Sequence, residues 1–278
     1  MTPNVSHRHV HGIEIPVLGL GTWRLSGRAC QTAVAAALAF GYRHIDTATA
    51  YGNEAEVGSA LRGSPLDRRD LFVTTKVWRD DLNTAALLRS AEESLARLGL
   101  EYVDLLLIHW PNAQIPLAET IAALCDAKRK GLTRSIGVSN FPVALLAQAW
   151  QVTSEPLVVN QCEYHPGLDQ SALLSACRMH KMAFTSYCPL GRGQLFSEPV
   201  IDDIATAHRK SPAQVMLRWH IQQPDVIAIP KSTAPARLEE NVNIFDFGLS
   251  DTEMAAISAL RRTNSRTVNP AWAPNWDR

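Results

Sequence analysis

Neither sign of charge is in excess in this 278-residue chain: Lys plus Arg and Asp plus Glu number 27 each. Without a net field to draw it onto nucleic acid or an anionic membrane, neither partner is expected, and small-molecule chemistry is the default. No apolar run approaches the roughly 18 residues of a membrane span. The opening stretch, residues 1–10, is polar where a secretory signal would be apolar, so a cytoplasmic location is expected. Five cysteines (Cys30, Cys125, Cys162, Cys177, Cys188) are scattered with no Cys-x-x-Cys pair. Their odd number argues against a disulfide framework, and they read as reduced packing residues. His7, His9 and His11 alternate and in a strand would share one face, as metal ligands do, but no acidic or thiol partner is read beside them. A solvated terminal hairpin is expected there, and no metal site. A glycine fingerprint is also missing: Gly19-Leu20-Gly21 and Gly191-Arg192-Gly193 both lack the third glycine that a doubly wound dinucleotide fold requires.

What is present is alternation. Short apolar or β-branched runs at 18–21, 42–46, 71–76, 103–109, 135–138, 157–161, 183–187 and 226–230 read as strands. Helical periodicity marks 31–40, 53–61, 84–98, 115–130, 143–150, 170–182 and 213–222. In 84–98, Leu87, Leu88, Ala91, Leu95 and Leu98 recur at spacings of three and four. Strands alternating with helices imply parallel pairing through right-handed crossovers. About eight such cycles fit a closed (β/α)8 TIM barrel better than an open sheet. The 46% hydrophobic content can fill one core, and a single domain over residues 1–278 is expected, as a monomer.

In such a barrel the active site forms where the strands end. Asp46, Tyr51, Lys76 and His109 each lie at or just past a strand end. A carbonyl accepting hydride develops negative charge on oxygen and needs a proton donor. Tyr51 can be that donor if a cation lowers its pKa from about 10. Lys76 is the candidate cation, with Asp46 as the counter-ion that keeps it charged. His109, as a neutral imidazole, can hydrogen-bond the same oxygen. Taken singly, each has a plainer reading. Asp46 with Thr47 can cap a turn, Tyr51 can be an interface aromatic, Lys76 can pair with a surface acid, and His109 can be a core histidine.

The runs Gly19-Leu20-Gly21-Thr22-Trp23, Tyr42-Arg43-His44-Ile45-Asp46-Thr47-Ala48 with Tyr51-Gly52-Asn53-Glu54, Lys76-Val77-Trp78, His109-Trp110-Pro111, Gly137-Val138-Ser139-Asn140-Phe141 and Ile229-Pro230-Lys231-Ser232 resemble, in order and over nearly the whole chain, those of the aldo-keto reductases. The resemblance implies a barrel with Tyr51 as general acid, assisted by Asp46, Lys76 and His109, and a nicotinamide dinucleotide extended across the mouth. It implies that Ser139, Asn140 and Gln161 hydrogen-bond the nicotinamide carboxamide and that Tyr187 stacks on the ring. Gly21, Thr22, Trp23, Asp46, Leu190 and Gly191 are expected along the same cofactor. Lys231, Ser232, Thr233 and Arg237 make a cationic, hydroxyl-rich cluster suited to a 2'-phosphate, so NADPH is expected over NADH. Glu240 and Asn241 match positions that meet the adenine.

The substrate is expected to be a small molecule carrying a carbonyl group. Trp23, Trp78 and Trp110, with Tyr51 and His109, match the positions that wall its pocket. The stretches after Pro111 and after Tyr187 read as short, which implies a shallow, wet pocket for small polar aldehydes, ketoaldehydes and keto sugar acids. The tail, residues 264–278, resembles that of bacterial 2,5-diketo-gluconate and methylglyoxal reductases. It is expected either to fold over the mouth, bringing Trp272 or Trp276 to the substrate, or to pack on the barrel wall. Arg24 and Arg192 are candidates for a substrate carboxylate. Two rival functions stand: a lyase forming a Schiff base on Lys76, and a regulatory subunit that binds NADPH with little turnover.

Overall fold

The structure, a computed structural model, describes residues 6–262 and 265–277; the first five residues of the polar opening stretch, and Asn264 and Arg278 at the ends of the tail, lie outside the described residues. Two strands, β1 (His7–Val10) and β2 (Ile13–Pro16), pair as an antiparallel hairpin. Eight more form one parallel sheet in chain order: β3 (Gly19–Gly21), β4 (His44–Asp46), β5 (Phe72–Val77), β6 (Val103–Ile108), β7 (Thr133–Ser139), β8 (Leu157–Glu163), β9 (Ala183–Tyr187) and β10 (Val226–Ala228). A bridge between Leu18 and Ala228, with the Ala228 N–H donating to the Val17 carbonyl at 2.9 Å, joins the last strand to the first. The sheet is thereby brought round into the expected barrel.

Helices α1 (Gly27–Ala39), α2 (Glu54–Arg62), α3 (Thr84–Leu98), α4 (Leu117–Arg129), α5 (Val143–Val152), α6 (Ser171–Met179) and α8 (Pro212–Gln222) fall where the periodicity places them. In α3 the Asn83 side chain accepts from the Ala86 N–H at 3.0 Å, and Gly99 ends the helix in the left-handed region at φ 65°. Leu87, Ala91, Leu95 and Leu98 are buried against the barrel. Three helices were not anticipated: α7 (Pro199–His208), α9 (Pro235–Val242) and α10 (Asp251–Ser258). Pro199 and Pro235 act as initiators in the first turn, where the missing N–H costs nothing, and not as breakers. The Ser250/Glu253 capping box that starts α10 was a legible signal.

Because alternate strand residues share a face, the barrel interior changes character from one end to the other. At the N-terminal end Phe72, Leu105, Leu107, Val159, Ala183 and Ile227 form an apolar plug, sealed by Val10 and Ile15 of the hairpin. At the other end the same strands present Lys76, His109, Gln161 and Tyr187. The hairpin corrects the histidine expectation on two points. His9 Nδ1 faces Glu14 Oε1 at 3.3 Å, so an acidic neighbour exists. His11 lies in the turn with φ 47°, bonded through Nε2 to the His180 carbonyl oxygen at 3.1 Å, so the three rings do not share one strand face. Among the described residues no helix is long and apolar enough to cross a membrane.

Candidate active site

Lys76 ends the polar half of β5 with its side chain wholly buried. Its Nζ donates to Asp46 Oδ1 at 2.5 Å, to the Thr47 carbonyl oxygen at 2.8 Å and to the Tyr51 hydroxyl at 3.3 Å. A bare ammonium inside a protein costs several kcal/mol, roughly, and a carboxylate with further acceptors offsets that cost. Burial pulls the lysine pKa down, but Asp46 and Tyr51 together outweigh it and hold the group above its ordinary value. Asp46 Oδ2 accepts from Gln161 Nε2 at 2.7 Å, which ties β4 to β8 across the mouth.

Tyr51 leaves a single 3-10 turn, Thr49–Tyr51, that is closed by Gly52 at φ 64°, a conformation suited to glycine. Thr49 Oγ1 donates to the Lys76 carbonyl at 3.0 Å, so the turn is fastened to the strand that carries the cation. The phenol is pushed above its ordinary pKa by burial; Lys76 pulls it back without cancelling that effect. The expectation that the cation sets a lowered value is therefore corrected: desolvation dominates and the hydroxyl keeps its proton. His109 packs edge-on to Tyr51, ring centres 5.5 Å apart, and to Trp78 at 5.2 Å. Burial, then the Lys76 charge, drives its pKa well below 6.5, so the imidazole is neutral, and its Nδ1 has no partner.

Asp46, Tyr51, Trp78 and His109 line a cleft of about 870 Å³ at the C-terminal end of the barrel, with Lys76 buried behind them. Of the expected cofactor residues, Gly21, Thr22, Trp23, Asp46, Ser139, Asn140, Gln161, Tyr187, Leu190, Lys231 and Arg237 border it. Gly21 has no room for a side chain, since a Cβ there would meet the Ile229 carbonyl oxygen at 2.8 Å. Ser139, Asn140 and Gln161 are brought together but are already bonded to protein. Asn140 Nδ2 donates to the His109 carbonyl at 3.0 Å and to Ser139 Oγ at 3.1 Å, and Asn140 Oδ1 accepts from the Tyr187 hydroxyl at 2.8 Å. To donate to a carboxamide, Asn140 must release one of these acceptors.

The phosphate cluster is only partly assembled. Lys231 and Arg237 are exposed at the cleft rim. Ser232 is buried, its Oγ accepting from the Ala234 N–H at 3.1 Å in the turn before α9, and neither it nor exposed Thr233 borders the cleft. Glu240 is engaged by the Ser211 hydroxyl, and Asn241 is buried in α9. Gly191 does not border the cleft, and a Cβ there would meet the His165 ring at 3.3 Å.

On the substrate side, the connection read as short after Tyr187 is part of the wall. Residues 188–198 form an eleven-residue connection, and Cys188, Pro189, Arg192 and Phe196 from it line the cleft. The tail folds over the mouth. Trp272 meets Trp78 at 5.6 Å and Trp110 at 5.1 Å, both edge to face, while Trp276 packs outside the cleft against Trp110 and under Arg266. Of the two expectations for the tail, the structure has the course over the mouth, with Trp272 at the cleft. Arg24 stacks on Trp23 at 4.3 Å with Arg192 at 5.8 Å from the same ring, all at the cleft. Cys188, Pro189 and Phe196, with Thr267, Val268 and Asn269, were not singled out from the sequence, because nothing local shows which connections meet over a barrel mouth.

A model of the Aldo/keto reductase family matches residues 17–262. Methylglyoxal reductase DkgB of Yersinia pestis is 43% identical over 269 residues, 95% of this chain and 100% of the relative. A solved structure named for 2,5-diketo-D-gluconic acid reductase B superposes with a TM-score of 0.97 at 45% identity, covering 99% of this chain and 98% of the other. The Bombyx mori aldo-keto reductase in complex with NADP has a TM-score of 0.87 at 34% identity, covering 93% and 94%. The chain belongs to the aldo/keto reductase family.

Proposed function

We propose that the protein reduces small polar aldehydes and ketones, 2-oxoaldehydes and keto sugar acids among them, to alcohols at the expense of NADPH, with Tyr51 as general acid. The observation that carries this reading is the buried chain Asp46, Lys76, Tyr51, with links of 2.5 and 3.3 Å, opening into a cleft beside a neutral histidine. The residues present suit a nicotinamide dinucleotide. Gln161 and Ser139 offer amide and hydroxyl oxygens to a carboxamide, the half-buried Tyr187 ring offers a face for stacking, and Lys231 and Arg237 offer cations at the rim to a 2'-phosphate. When bound, that cofactor supplies hydride to the carbonyl carbon.

The protein's own part is to hold the substrate oxygen and to move one proton. Tyr51 donates to the oxygen as charge develops there, and its elevated pKa keeps the proton available at neutral pH. Lys76 stabilises the phenolate that remains, a state that bears charge where the resting phenol does not. Neutral His109 orients the same oxygen. Trp78, Trp110 and Trp272 wall the apolar side, and Arg24 and Arg192 provide cations for an anionic substrate. A Schiff-base role for Lys76 is disfavoured, because its Nζ is charged and donates to three acceptors, which leaves no lone pair to attack a carbonyl.

The test mixes the protein with NADPH and methylglyoxal and follows loss of the reduced-nicotinamide absorbance. Native protein should turn over, and Tyr51→Phe should keep NADPH binding while losing on the order of 10²-fold or more in rate. Full activity in that variant removes Tyr51 as the acid. Tight cofactor binding without turnover of any small aldehyde by native protein favours the regulatory reading.

A further inference from the structure

Glu163 ends β8, two residues past Gln161, with its side chain wholly buried at the mouth. A carboxylate there is costly unless its oxygens are occupied, and nearly all its partners come from the far end of the chain. Oε1 accepts from the Thr267 N–H at 2.7 Å and from Thr267 Oγ1 at 2.5 Å, and Oε2 accepts from the Val268 N–H at 2.9 Å. His165 Nε2 lies 3.5 Å from Oε1. Burial alone would raise the pKa of this carboxyl; these partners more than offset it.

From that anchor the tail crosses the cleft. Thr267 to Pro270 line it, and Trp272 then stands edge-on to Trp78 and Trp110 with the Arg79 guanidinium 4.6 Å over its ring. Beyond, Asp277 accepts from the Val143 N–H at 3.0 Å, at the start of α5. Trp272 is itself 39% exposed, so little core packing fixes it; its place depends on the bonds on either side.

We propose that Glu163 is a positioning residue for substrate selection: its carboxylate latches the tail so that Trp272 completes one wall of the carbonyl pocket. Its carboxylate takes no part in the proposed chemistry and holds three donors from the tail, which gives it this work and no direct contact with the reacting atoms. The claim about pocket selection rests on the reductase reading above; the latch itself does not.

The experiment therefore has two arms. In the first, amide hydrogen exchange is followed by mass spectrometry in the native protein, Glu163→Gln and Thr267→Val, the last of which removes one hydroxyl from the half-buried partner and leaves Glu163 in place. Peptides spanning 265–277 should exchange about tenfold faster or more, as expected when a hydrogen bond to a charged group is lost, with barrel peptides unchanged. In the second, steady-state kinetics with methylglyoxal and NADPH should show KM raised several-fold in both variants and in Trp272→Ala, with kcat changed much less. Unchanged tail exchange in Thr267→Val, or acceleration spread equally over the barrel, overturns the latch. Faster tail exchange with unaltered KM overturns the assignment to substrate selection. If native protein shows no turnover, the reductase reading fails while the exchange arm still judges the latch.

Discussion

At Lys76 a charge enters the protein interior with its counter-ion fixed on a neighbouring strand, and folding and chemistry draw on the same ion pair. Replacing Lys76 by Met leaves Asp46 buried with Gln161 as its remaining side-chain partner. The single variant should lose about 3–5 kcal/mol of stability in urea denaturation, the usual cost of an uncompensated buried charge. Lys76→Met combined with Asp46→Asn should regain most of that loss and yet fail to reduce methylglyoxal. A single variant as stable as the native protein would show that the pair does not carry the stability assigned to it. Asp46, Tyr51, Lys76 and His109 were legible because each lies at or just past the end of a short strand, where local pattern and chemistry coincide. Glu163 was not, since its partners lie 104 and 105 residues away. Ser232 was read as a phosphate ligand because its neighbours are basic, whereas its hydroxyl turns back to the Ala234 N–H.

The segment from β10 into α9 shows how one element can divide its work. Its buried side, Leu238, Asn241 and Val242, packs against the barrel, and its exposed side offers Lys231 and Arg237 to the cleft rim. Changing both basic residues to Ala should weaken NADPH binding by about tenfold or more and NADH binding little, because two charge-assisted contacts to a 2'-phosphate are lost only with the former. Isothermal titration with each cofactor measures this, and equal losses contradict the 2'-phosphate role. The helix itself escaped sequence reading: at eight residues, opened by a proline and rich in charge, it has too short an apolar stripe to register as periodic. In contrast α3, with fifteen residues and a side-chain cap, was read to the residue.

Across the whole molecule, closure of the barrel buries His44 on β4, His109 just past β6 and His220 on α8. Burial lowers His44 to about 4 and His220 to about 3, and holds His109 well below its ordinary value. Above pH of roughly 6.5 these rings are neutral in folded and unfolded chains alike, so their effect on stability is constant. As the pH falls below that value the unfolded chain binds protons that the folded one refuses, and stability should decline by on the order of 1 kcal/mol per pH unit for each histidine, until the folded values are reached. Urea midpoints at pH 7.0 and 5.5 measure the early part of this fall, before carboxylates titrate. An unchanged midpoint would dismiss the linkage, and His220→Gln should reduce its slope.

The alternation of short β-branched runs with amphipathic helices was enough to specify the parallel barrel, because period and strand length are local properties that each segment carries wherever it packs. The same locality put acid, cation and phenol at strand ends, and hence at one mouth. Which loops and tail meet over that mouth depends on contacts between residues more than a hundred positions apart, formed when the sheet closes. The lining of the pocket, the place of Trp272, the use of Glu163 and the net upward shift of Tyr51 therefore belong to the assembled fold, which exists only once distant segments have come together and excluded water.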